Sequence, residues 1–102
     1  MKLRLALIAS LAATPLLAAE TPEQSCAYQA DVVAAVQQAR LDRVKERDVP
    51  EAIAATNPEW PENYNAAIPL MAPWVYEQKM KVIRNDDLSA VWKDLCIAQI
   101  KG

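Results

Sequence analysis

Two pairs of carboxylates are the residues whose type and spacing come nearest to chemistry. Glu59 and Glu62 stand three apart, and Asp86 and Asp87 are adjacent. Such pairs would bind a cation or share acid–base work. Each has a plainer structural reading. Asp86 and Asp87 follow Asn85, where one helix should end and another begin, and Glu62 falls in a first helical turn, where negative charge offsets the helix dipole. The structural reading is preferred for both pairs. A cationic set comes next. Arg40, Arg43, Lys45 and Arg47 would form an anion-binding patch for membrane headgroups or an acidic partner. Asp42 lies three residues before Lys45, and Arg43 three before Glu46. Those are ordinary helix-face pairs, so a solvated, dipole-compensating helix end is the preferred account.

The two cysteines, Cys26 and Cys96, allow one intramolecular pairing. They are not spaced as C-x-x-C, and no flanking histidine exists to lower a thiol pKa. A structural disulfide is therefore expected. It would close a loop of about 70 residues, worth roughly 4 kcal/mol in the chain-entropy model. The same lack of histidine rules out Ser–His and Cys–His nucleophiles and histidine metal sites. The only glycine is Gly102, so the usual glycine-rich phosphate loop is excluded. No catalytic residues, metal or cofactor are expected. An enzyme, such as a carboxylate-based hydrolase, is the weakest of the function classes.

Trp60, Tyr64, Trp74, Tyr76 and Trp92 cluster in the second half, and there is no phenylalanine. Most of these aromatics are needed for the core. Trp60 and Tyr64 are the best candidates for exposure, because they sit among Pro58, Glu59, Pro61, Asn63 and Asn65. An exposed Trp/Tyr pair would form a recognition surface. With Arg40 and Arg43 it makes up the candidate binding surface, and the expected partner is a protein.

These residues must be positioned by a small domain. Lys2 and Arg4 precede an apolar run from Leu5, broken by Pro15 and ending at Ala18-Ala19. This reads as a secretory signal peptide over residues 1–19, with cleavage after Ala19. The run is too short for a spanning helix, which needs roughly 20 apolar residues. One helical domain, 20–102, follows. Removing Lys2 and Arg4 leaves nine basic against thirteen acidic side chains, a net charge near −4. A mildly acidic chain argues against nucleic acid as a partner. Export to an oxidising compartment, periplasmic or extracellular, permits the disulfide that so small a core needs.

Thr21-Pro22-Glu23-Gln24 has the form of a capping box with proline in the first turn. It opens a long amphipathic helix expected from Thr21 to Arg47, ended by Asp48 and Pro50. Asp48 and Glu51 suggest a second capping box and a short helix over 49–56, with Ile53 as its anchor. A third helical region, from Pro61 to about Arg84, contains Pro69 and Pro73 and should be kinked or split near Ala72. Leu88, Val91, Trp92, Leu95 and Cys96 then fall at i, i+3, i+4, i+7 and i+8, a clean helical stripe. Without glycine for tight hairpins, and without a long alternating strand pattern, an all-α four-helix bundle with a kinked or split third helix is expected, stapled by Cys26 and Cys96.

With its leader, an early cysteine in the first helix, Ala39-Arg40-Leu41, Trp74-Val75-Tyr76 and a late cysteine, the chain resembles small secreted single-disulfide helical bacterial proteins of uncharacterised function. That resemblance implies a compartment and a fold but no activity. Periplasmic acid-stress chaperones share the architecture of a small helical domain with one disulfide, without a matching segment. Two functions are carried forward. The first is a non-enzymatic periplasmic or secreted protein that binds another protein. The alternative is an acid-responsive chaperone, because protonating every carboxylate would move the mature side-chain charge from near −4 to near +9.

Overall fold

Thr21 begins the first helix as its residue type requires. In the computed structural model, which describes residues 20–101, the Thr21 hydroxyl accepts the Gln24 N–H at 3.0 Å. The Gln24 side chain in turn accepts the Thr21 N–H at 2.8 Å. The reciprocal bonds complete a capping box, and Pro22 occupies a first-turn position that has no use for an N–H. The proposed signal peptide falls on residues 1–19 and lies outside the described part.

The helix, α1, spans Pro22–Leu41. Its buried stripe is Cys26, Ala30, Val33, Val36 and Ala39, widened by Val32. Valine is a mediocre helix former, so Val32, Val33 and Val36 hold this helix through burial. All three are fully inaccessible, and each contributes about 1.5–3 kcal/mol.

α1 ends six residues before the expected Arg47. Asp42 is the C-cap, and Arg43 turns into the left-handed region with φ 64°. The Arg43 N–H donates to the Arg40 carbonyl and the Val44 N–H to the Ala39 carbonyl, both at 3.0 Å. This is a Schellman ending with arginine where glycine is the common residue. A 3-10 turn, Glu46–Asp48, leads into α2, Val49–Ala54. The second expected capping box does not form. Asp48 has helical backbone angles and its side chain makes no capping bond, because the 3-10 turn already runs into α2.

A 3-10 segment, Glu62–Ala67, continues directly into α3, Ile68–Tyr76. The helix runs through Pro73, and the expected break at Ala72 is absent. Pro69 lies in the first turn, where no N–H is needed, so only Pro73 removes an internal bond. The break comes later, where Lys79 is extended before α4, Met80–Asn85. The Gln78 side chain donates to the Trp74 carbonyl at 2.9 Å and closes the end of α3. The last helix, α5, is Leu88–Lys101. Asp87 caps it, accepting the Ser89 hydroxyl at 2.6 Å and the Ala90 N–H at 3.1 Å. Those bonds hold its carboxyl below the usual carboxylate range.

All described secondary structure is helical, with no strand among the described residues. α1 is the central element. It packs most extensively on α5 and next on α3. Its valines meet Val49 and Ile53 of α2, Met71 and Val75 of α3, Ile83 of α4 and Leu88 of α5 in one core. Cys26 and Cys96 form a disulfide with their Cα atoms 5.6 Å apart, tying the start of α1 to α5. The α5 stripe is divided. Trp92 and Cys96 are half-buried toward α1, whereas Val91 and Leu95 are 44 % and 58 % exposed. Among the described residues, no helix is long and apolar enough to cross a membrane.

Candidate functional site

The Schellman ending of α1 changes where the cations go. Had the helix continued to Arg47, its basic residues would have spread around a terminal turn. Instead the chain reverses at Arg43, and only Arg40 remains in the last turn. Arg40, Arg43, Lys45 and, from α4, Arg84 line one open groove of about 510 Å³. Glu46 is the sole carboxylate in its wall, and Tyr76, Val44 and Met80 supply its apolar parts.

Arg40 is held firmly there. Its guanidinium carbon lies 5.0 Å from the centroid of the Tyr76 ring, a cation–π distance. The Tyr76 hydroxyl donates to the Val44 carbonyl at 2.6 Å, so the ring is anchored to the chain reversal. Burial pushes the Tyr76 phenol above its ordinary range; Arg40 opposes that shift and Glu46 adds to it. One Arg40 Nη reaches the Gln78 carbonyl only at 3.5 Å, and the buried Nε has no acceptor. The Nε is closed off from any ligand, but the remaining Nη hydrogens of a guanidinium stacked on an aromatic ring are suited to carboxylate or phosphate oxygens. Arg84 joins the site from 44 residues beyond Arg40, with no local pattern to announce it.

Trp60 and Tyr64 do not form an exposed pair. Tyr64 is a core residue, 8 % exposed. Its ring packs against Tyr28 with centroids 5.2 Å apart, and its hydroxyl donates to the Glu20 carboxylate at 2.5 Å. The same hydroxyl lies 2.9 Å from the Ser25 hydroxyl, which also accepts from the Gln29 side chain at 3.1 Å. The Trp92 indole donates to Gln29 at 3.0 Å. A chain of polar groups thus runs from the 3-10 segment across α1 to α5 and leaves Tyr64 no free function. Burial first, and then the Glu20 carboxylate, raise its phenol above the usual range, with Ser25 opposing. Trp60 is half-buried. Its indole donates to Asn65 at 2.8 Å, and one side of the ring opens on a depression shared with Tyr28, Asp31, Pro58 and Glu59.

Of the two carboxylate pairs, only Glu59 lines one of these depressions. Asp86 and Asp87 serve the junction of α4 and α5, and Glu59 and Glu62 are exposed. Among the described residues no three histidine, cysteine or acidic side chains gather as metal ligands would. Comparison with protein-family models, characterised proteins and solved structures finds no match to this chain.

Proposed function

We propose that this chain is a non-enzymatic protein of the periplasm or the extracellular space, exported by a signal peptide over residues 1–19, that works by binding an acidic segment of another protein. On this reading it is a four-helix bundle in which the 3-10 segment, α3 and α4 count as one split helix. The observation that carries the binding role is the groove in which Arg40, Arg43, Lys45 and Arg84 converge around Tyr76. The mature chain is acidic overall, yet these cations face a single carboxylate. Arg43 adds a second argument. A left-handed backbone costs a non-glycine residue about 1–2 kcal/mol, and glycine would remove that cost. Keeping a cation in a strained position is expected where the cation is used.

The test uses the oxidised mature protein and its R43E/K45E double variant, both at exposed positions. A partner captured from periplasmic extract by the wild type is purified, mapped to its contact segment and rebound. Support is an acidic contact segment whose affinity falls at least tenfold in the double variant and weakens as salt rises. A partner bound equally by both forms would overturn the groove as the site.

A second reading, the acid-responsive chaperone, draws on α5. Only Leu88 of that helix is buried, and Val91, Leu95 and Ile100 are 44 %, 58 % and 39 % exposed. Carboxylate protonation near about pH 4 would charge the domain strongly positive and loosen a helix that buries only one side chain fully. Suppression of client aggregation at about pH 3, and not at neutral pH, would favour it.

A further inference from the structure

The basic groove does not end at Val44. That residue is also one wall of a second depression, a pit between α1 and α2 of about 260 Å³. Ala35 and Ala39 on α1 face Ala52 and Ile53 on α2 across it. Small residues meeting across a helix pair leave a gap that larger ones would fill. Its floor is apolar, and Gln38, Asp42 and Thr56 give it a polar rim. The pit is smaller than the roughly 300 Å³ at which small-molecule sites begin, so it suits one apolar side chain. Ala35 and Thr56 then pass into a third depression, where Trp60 and Tyr28 stand with Asp31 and Glu59. No lysine or arginine lines that end. The surface thus carries cations at one end, an apolar pit in the middle, and carboxylates beside a tryptophan at the other.

Resting on the binding reading above, we propose that this belt holds one extended segment of the protein partner, with acidic residues at Arg40 and Arg43, one apolar side chain in the alanine-lined pit, and basic residues at Asp31, Glu59 and Trp60. Charge complementarity fixes the order. A carboxylate at the groove meets a pinned guanidinium, while a lysine or arginine at the far end meets two carboxylates and an indole face. Val44 borders both the groove and the pit, and Ala35 with Thr56 border both the pit and the third depression, so the three adjoin in that order. A purely acidic ligand would use only the first third of it.

The test is a set of fluorescein-labelled synthetic peptides titrated against the oxidised mature protein. The first carries an aspartate pair in a serine background, the second adds a central leucine, and the third adds a lysine pair beyond the leucine. Affinity should rise about tenfold with the leucine, the scale expected for burying one aliphatic side chain, and severalfold with the lysines. Ala52→Leu, which fills the pit, should abolish the leucine step alone. Asp31→Lys, at an exposed position, should abolish the lysine step alone, and both variants should keep the helical circular dichroism of the parent. Three equal affinities would overturn the belt and leave the groove standing, as would a leucine step that survives Ala52→Leu. Equal binding of a peptide with the same composition in scrambled order would overturn the belt too. If none of the peptides binds, the groove reading fails and the belt falls with it.

Discussion

The Gln37 side chain accepts the backbone N–H of Leu88 at 3.2 Å, so a residue near the end of α1 caps the first position of α5. The same amide donates to the Ile83 and Asp86 carbonyls, each at 2.8 Å. One side chain therefore satisfies backbone groups at the end of α4 and the start of α5, where helices leave donors and acceptors without partners. The α4–α5 corner is fixed to α1 by these bonds as well as by the apolar contacts of Ile83 and Leu88.

Replacing Gln37 with alanine should cost about 2 kcal/mol, because it strands the Ile83 carbonyl and the Leu88 N–H at a partly buried corner, while the exposed Asp86 carbonyl turns to water. The denaturant midpoint measures this. Gln37→Glu separates the roles. It keeps an acceptor for Leu88 but sets a carboxylate against two carbonyls, so it should be at least as destabilising at neutral pH. Protonation would restore a donor, and part of the loss should be regained in mild acid. A Gln37→Ala protein with an unchanged midpoint would contradict the bridging role.

Arg43 supports a prediction of opposite sign. Glycine adopts a φ of 64° freely, so Arg43→Gly should stabilise the fold by about 1 kcal/mol. If Arg43 serves the groove, the same substitution should weaken binding of an aspartate peptide. Higher stability with lower affinity is the expected pair of results, read by thermal melting and peptide titration. Lower stability would mean that the Arg43 side chain holds the fold in a way its exposure does not suggest.

Residues whose partners are close in sequence are legible from the sequence; of the distant pairings the Cys26–Cys96 bond is legible too, because two cysteines allow one partner each, whereas the distant side-chain contacts are not. Thr21 and Gln24 form their box three residues apart, and Ile53, the expected anchor of α2, is buried, so local pattern is enough there. The end of α1 depends on Val44 folding back onto Ala39, with no glycine or proline to mark it. Tyr64 looked exposed because its neighbours are polar and rich in proline, but Tyr28, Ser25 and Glu20 cover it from another element. The α5 stripe was correctly periodic, yet the disulfide brings Cys96 to α1 and leaves Leu95 outside. Arg40 and Arg43 stand out in the sequence as part of a basic set. Arg84 and Tyr76, which complete their groove, come from elements that only the fold brings alongside.

The buried phenols set an alkaline limit. Tyr64 and Tyr76 both have folded-state pKa values raised above the ordinary one, chiefly by burial. Their stabilising contribution is therefore complete below about pH 10, the unfolded value, and is lost as pH rises toward the folded values. Phenolate absorbance followed together with helical circular dichroism should show late ionisation coinciding with unfolding. Ionisation of Tyr64 with its midpoint near about pH 10 and the helical signal intact would contradict its buried placement.

Reduction should act unevenly along the chain. The Cys26–Cys96 bond spans 70 residues, and opening it removes roughly 4 kcal/mol of loop constraint. The loss should fall first on α5, which buries only Leu88, while α1, α2 and α3 share the valine core. A Cys26→Ser/Cys96→Ser protein should thus lose amide-exchange protection over 91–101 well before it loses protection over 30–39. Limited trypsin digestion should cut at Lys93 in the variant under conditions that spare the parent. If both helices lose protection together, α5 is an integral part of the cooperative core, and the acid-opening reading of this domain loses its structural basis.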